Sequence, residues 1–240
     1  MERNGSRIGV VTNGSPLFSG GAGSGESSIR RWIIENDWLE CIVALPKDLF
    51  YNTGINTYIW FLTNDKSEER RGKVQLIDAT SFCVPAIKSL GNKRNDIRHE
   101  DVERILELYL KFEENDYCKI FPNRSFGNYQ ITVEQPLYDE QGRAKVGARK
   151  GPIADPSKRD TENVPLDVDV YEYFDREVRP HIDPASWIDF SKIRINYEIN
   201  FTRYFYKYQA PEDSEKVAKR VRKSEDIIRQ LMTDLFGEES

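Results

Sequence analysis

The sequence predicts an α/β fold, in which part of a Rossmann-like sheet is followed by a mainly helical carboxy-terminal region. Three observations predict it. Short apolar runs over Arg7–Thr12, Leu39–Pro46 and Thr57–Thr63 are bounded by turn residues, the first two enclose a stretch of helical period, and Glu212–Phe236 repeats its apolar residues every three or four positions. The expected division is 1–137 for the sheet domain, 138–165 for a linker and 166–240 for the helical region.

Arg7–Thr12 is β-branched and ends at Asn13-Gly14-Ser15-Pro16, a turn cluster. Ser27 or Ser28 is placed to cap a helix whose Ile29, Trp32 and Ile33 share a face. LECIVALP then reads as a strand buried on both faces, so the unit is a strand-helix-strand crossover with parallel strands. Thr57–Thr63 follows, across a loop from Lys47 to Asn56, and sheets of this kind carry ligands on the loops beyond their strand ends. The charged run Asp65–Arg71 predicts an exposed turn before a fourth strand at Lys73–Ile77. Asp101–Phe112 predicts an amphipathic helix with Val102, Ile105, Leu106, Tyr109 and Leu110 on its apolar side. A further strand is expected at Tyr129–Val133, a mobile connection at 138–165 and a helix at Val168–Val178.

The chain has 240 residues, 38% hydrophobic and 31% charged, which suits a folded core. Its formal net charge of −5 gives no overall attraction to nucleic acid, so any contact with DNA is local or comes through partners. Cys41, Cys83 and Cys118 do not stand at metal-ligand spacing, and His99 and His181 lie in polar surroundings, so neither a metal centre nor a catalytic set is expected. No signal peptide or membrane-length apolar run occurs, which predicts a cytoplasmic location.

Several long strings resemble the modification subunit of type I restriction-modification systems. They are RIGVVTNGSPLF, GSGESSIRRWIIENDW and ALPKDLFYNTGINTYIWFLT, then KVQLIDATSFCVPAIKSLGNKRN, KIFPNRSFGNYQITVEQPL and the segment ending YEINFTRYFYKY. The resemblance implies an adenine methyltransferase sheet that takes its methyl group from S-adenosylmethionine, with a specificity subunit, a restriction subunit and double-stranded DNA as partners. It also marks two departures. The glycine turn that would hold the cofactor is missing, since Gly20–Gly25 sits before a helix and lacks the acidic residue expected about 20 positions on. The Asn-Pro-Pro-aromatic loop that would grip the target amino group is missing too, because no Pro-Pro pair occurs. The chain alone is therefore expected to bind no cofactor and to methylate nothing, and its first strand is expected to expose an edge that other strands would cover. Taken alone, it should tend to dimerise or aggregate through that edge.

Phe50, Tyr51, Asn52 and Thr53 form the candidate target-base loop. An aromatic ring there could receive an extruded base, for stacking returns roughly 1–3 kcal/mol against the cost of flipping. The residues alone read equally as ordinary loop aromatics, and Asn52 and Thr53 as base contacts or as turn holders. The resemblance favours stacking, at Phe50 first and Tyr51 second. Basic residues Arg143, Lys145, Arg149, Lys150, Lys158 and Arg159 suggest a DNA arm, or a solvated loop offset by its own acids. Tyr197, Phe201, Tyr204, Phe205, Tyr206 and Tyr208 read as core or subunit interface.

The terminal series Val217, Val221, Ser224, Ile228, Leu231 and Leu235 forms a seam that needs a partner. Three functions fit: a carboxy-terminal portion of the methyltransferase subunit, a non-enzymatic adaptor working through that helix, or a methyltransferase with an unconventional cofactor site.

Overall fold

The computed structural model describes residues 5–147, 151–208 and 210–237. In chain order the elements are β1 (Arg7–Asn13), α1 (Ser15–Phe18), α2 (Gly25–Glu35), β2 (Leu39–Ala44), β3 (Thr57–Thr63) and β4 (Lys73–Asp78). They continue with β5 (Val84–Leu90), β6 (Lys93–Asp96), α3 (His99–Lys111), β7 (Cys118–Pro122) and β8 (Gly127–Glu134). The last are β9 (Asp160–Pro165), α4 (Val170–Tyr173), β10 (Trp187–Ile188), β11 (Arg194–Tyr197), α5 (Phe201–Phe205) and α6 (Ser214–Phe236). Residues 1–205 form one unit and residues 206–240 another.

The first sheet has five strands in the order β1-β3-β2-β4-β7. β2 and β4 are parallel, β7 is antiparallel to β4, and β3 is antiparallel to both β1 and β2. The strands flanking α2 therefore run the same way, as the crossover requires, but they are not neighbours. β3 lies between them.

Every residue of β2 is buried, and alternation sends its side chains into two cores. Ile42 and Ala44 pack with Leu17, Ile34, Trp60 and Leu76; Cys41 and Val43 pack on the opposite face with Ile77, Phe82 and Cys118. Tyr197 and Phe201 close the first of these cores, with Tyr204 and Phe205 against it, so four of the six carboxy-terminal aromatics are used inside the fold. Tyr206 and Tyr208 are exposed.

Four expectations are corrected. Helix α2 is capped by Ser24, whose hydroxyl accepts from Ser27 N at 3.2 Å, and it buries Ser27, Arg30 and Ile34 while Ile29 and Trp32 face outward. The reason is that the Arg30 guanidinium satisfies four backbone carbonyls, a demand stronger than an apolar stripe. The Asp65–Arg71 turn is exposed as expected at Asp65, Ser67, Glu68, Glu69 and Arg71, but two of its cations, Lys66 and Arg70, are buried. Arg70 lies 4.4 Å from the Tyr109 ring centre and 4.3 Å from that of Phe112, and donates to Gln75 Oε1 at 2.9 Å. Helix α3 packs Ile105, Leu108 and Tyr109 on the sheet, whereas Val102, Leu106 and Leu110 are exposed.

Residues 138–165 are the fourth correction. They include β9, which pairs with β8, and bridges at Pro136–Ala154, Tyr138–Ala144 and Val146–Pro152 stitch the described part of the excursion between the two strands. Backbone pairing replaces side-chain burial there, which is why the composition resembles a linker. Arg143 pairs with Asp139 and Arg159 with Glu134, while Arg149 and Lys150 lie outside the described residues.

The second sheet centres on β8, with β9 along one edge and β10 and β11 sharing the other. Buried Glu134 Oε1 accepts from Arg159 Nε at 2.8 Å and Lys192 Nζ at 2.7 Å. Lys192 also pairs with Asp189 at 2.8 Å, and that lysine, followed by Ser191, lowers the Asp189 carboxyl to about 2 from an ordinary 3.8. A depressed carboxylate contributes stability above its unfolded value and loses it as pH falls through the folded one. We expect the urea midpoint of Asp189→Asn to lie below wild type above pH 4 and to converge with it near pH 2. A gap that persists at pH 2 would refute this.

Candidate nucleic-acid interface

The parallel strands β1, β2 and β4 end on one rim, since Asn13 is level with Thr57, and Ala44 with both Tyr58 and Asp78. Loops 14–24, 45–56 and 79–83 leave from this rim, the position where sheets of this type hold ligands.

In the 45–56 loop Leu49 points down into the second core, while Phe50 is 39% and Tyr51 54% exposed. Thr53 N donates to Phe50 O at 3.4 Å, and Thr53 Oγ1 accepts from Ile55 N at 3.4 Å. Thr53 thus holds the turn. Asn52 is exposed beside it.

The loop is braced by a hairpin, β5–β6, that the strand patterning does not foretell. Asp48 O accepts from Arg94 N at 2.8 Å and Asn95 N at 3.1 Å, and Tyr51 O accepts from Asn92 N at 2.9 Å. Gly91, at φ +60°, forms the turn with Asn92, and a Cβ there would lie 2.8 Å from Tyr51 O, so only glycine lets the hairpin approach. One sequence signal does mark its turn: Gly91-Asn92 is a dipeptide of two-residue hairpin turns. With its carbonyls pinned, the loop presents two aromatic rings at little ordering cost.

The neighbouring glycine cluster does other work. A Cβ on Gly20 would lie 2.7 Å from Glu26 Oε2, and one on Gly23 would lie 3.4 Å from Arg194 Cδ. The space beside Gly20 and Gly23 is filled by the chain's own side chains, whereas a Cβ on Gly21 or Gly25 would meet nothing within 4 Å, and Ser24 caps the α2 amino terminus. Among the described residues no group of three or more His, Cys, Asp or Glu could hold a metal, and no helix is long and apolar enough to cross a membrane. His99 is exposed and lies 3.3 Å from Glu103.

Residues 1–141, which contain the first sheet, the braced loop and β8, match the family model described as N-6 DNA Methylase. The chain belongs to the N-6 DNA methylase family. Among curated relatives of this N-6 DNA methylase chain, the MjaVIII methylase subunit of a type I restriction enzyme from Methanocaldococcus jannaschii is 36% identical over 135 residues, 55% of this chain and 22% of its own length. The MjaVII methylase subunit of the same organism is 33% identical over 149 residues, covering 60% and 25%. The HindI methylase subunit of Haemophilus influenzae is 34% identical over 126 residues, covering 46% and 27%. The chain thus spans about a quarter of the length of these relatives.

Proposed function

We propose that this N-6 DNA methylase chain is the carboxy-terminal portion of a type I restriction-modification adenine methyltransferase subunit. It supplies the base-side loop, closure of the sheet and contacts to the specificity subunit, and works in the cytoplasm beside a restriction subunit. The observation that carries this is the braced loop, where Phe50 and Tyr51 are held outward on the rim of the sheet. Stacking of an extruded adenine on such rings is chemically apt. Strand β1 ends the sheet with Ile8, Val10 and Val11 exposed, so a complementary polypeptide carrying the glycine turn and the Asn-Pro-Pro-aromatic loop would extend the sheet from that edge. Methyl transfer from S-adenosylmethionine belongs to that complement.

The test is reconstitution. Mixed with such a complement, the chain should restore methylation of adenine in duplex DNA, and Phe50→Ala with Tyr51→Ala should cut the rate roughly 10- to 100-fold, as the loss of 1–3 kcal/mol of stacking requires. Stoichiometric S-adenosylmethionine uptake by the 240-residue chain alone would sink the reading.

The adaptor alternative is favoured by one observation. Helix α6 exposes Val221, Ile228, Leu231 and Leu235 along the seam. A helix that leaves this stripe in water is suited to a partner helix, and in the preferred reading that partner is the specificity subunit. Capture of a specificity subunit, abolished by Ile228→Glu, supports docking; capture without any restored methylation would favour the adaptor.

A further inference from the structure

Strands β5 and β6 pair at Val84–Asp96, Pro85–Asn95 and Leu90–Lys93. Four residues, Ala86 to Ser89, therefore stand opposite one, Arg94. Such a bulge re-aims side chains, and bulges of this kind occur beside functional sites. This one carries Ile87, which is fully exposed at 105%, next to Lys88. Leu90 is exposed as well.

The charge of the segment opposes that of the chain. Residues 84–98 hold Lys88, Lys93, Arg94 and Arg98 against the single acid Asp96, within a chain of net charge −5. Lys93 is 2.6 Å from Asp96, and Arg98 is 3.3 Å from Asp101. Lys88 and Arg94 are exposed, and among the described residues neither pairs with a carboxylate. An apolar tip flanked by two available cations suits a polyanion with an apolar interior better than a protein surface.

The hairpin and the Phe50–Thr53 loop are joined by backbone bonds from Arg94, Asn95 and Asn92, so they form one body. We propose that the β5–β6 hairpin is a second duplex-DNA contact, in which Ile87 enters the groove beside the extruded base and Lys88 and Arg94 neutralise flanking phosphates. This rests on the reading of the Phe50–Thr53 loop as the base side. Apolar side chains that enter base steps offset the stacking lost when a duplex is opened, and the rigid link to Tyr51 fixes the distance between the two contacts.

The experiment places the photo-crosslinker benzoylphenylalanine at position 87 or at position 51 of the full chain, in low salt, with a duplex carrying one unpaired adenine. Adducts to DNA from both positions are expected. An adduct from position 51 without one from 87, or an adduct from 87 only to protein, overturns the hairpin contact and leaves the base-side loop standing. An adduct from 87 alone supports the hairpin contact and overturns the base-side loop; none from either overturns both. As a second measurement, Lys88→Gln with Arg94→Gln should reduce the log-log dependence of DNA affinity on salt by about two, since each phosphate contact contributes nearly one. These side chains are exposed, so the fold is untouched. An unchanged slope overturns the phosphate contacts.

Discussion

Replacing Arg30 by methionine is expected to lower the thermal midpoint by about 10 °C, which for a chain of this size corresponds to roughly 4 kcal/mol. Arg30 is 2% exposed. Its Nε donates to Tyr197 O at 2.6 Å, and Nη1 to Ser19 O at 2.7 Å and Pro16 O at 3.1 Å; Nη2 reaches Gly20 O at 3.4 Å. Burial lowers the guanidinium pKa, opposed by the carboxylates of Glu198 and Glu26, but an arginine so far above neutrality stays charged. Methionine fills the space and donates nothing, so several carbonyls are left without partners at about 1–3 kcal/mol for each that water cannot reach. Arg30→Lys, which keeps a charge and one donor direction, should recover part of the loss. Near-ultraviolet circular dichroism melting checks this, and a drop under about 2 °C would mean that the carbonyls are satisfied in another way.

Asp37→Ala is expected to cost about 3 kcal/mol, the lower end for breaking a buried ion pair because one partner is about a third exposed. Asp37 sits between α2 and β2 at φ +57°, a left-handed conformation that aspartate tolerates better than alanine. Its carboxylate accepts from Lys66 Nζ at 2.5 Å, Gly72 N at 2.9 Å and Asn123 Nδ2 at 2.8 Å. Burial alone would raise this carboxyl, but those donors outweigh it and hold it below the ordinary value. Lys66, with only 2% of its side chain exposed, is lowered by burial, against the pull of Asp37. Removing Asp37 leaves that ammonium with the Lys73 carbonyl, 2.7 Å away, and without its paired carboxylate. Asp37→Asn keeps the left-handed backbone preference and one acceptor oxygen while removing the charge, so it should lose less than Asp37→Ala. Urea unfolding at pH 7 checks both, and equal midpoints for wild type and Asp37→Ala would refute the buried pair.

Much of the sheet is legible because burial on both faces leaves a nearly continuous apolar run, as in LECIVALP, whose shortness and flanking turn residues favour a strand over a helix. The partner of each strand is not legible. Alternation within Thr57–Thr63 says which way side chains point, but nothing in it reveals that β3 inserts between β1 and β2. Charged residues mislead most. Lys66, Arg70 and Arg30 look like surface residues to any composition rule, yet each has a partner distant in sequence: the Asp37 carboxylate, the Tyr109 ring and the Tyr197 carbonyl. At the candidate site, Phe50 and Tyr51 stand out by residue type, whereas the bracing comes from backbone groups of Asp48, Tyr51 and Asn92, which carry no sequence signature beyond the Gly91-Asn92 turn.

The Arg30–Tyr197 bond joins residues 167 positions apart. At roughly 5–20 residues per second, a ribosome takes about ten to thirty seconds to make that interval. Throughout it the nascent rim has a guanidinium and only nearby carbonyls to offer it. Any product cut short before residue 197 would keep the amino-terminal strands and the carbonyls of Pro16, Ser19 and Gly20, yet lack the acceptor that ties helix α2 to the carboxy-terminal half.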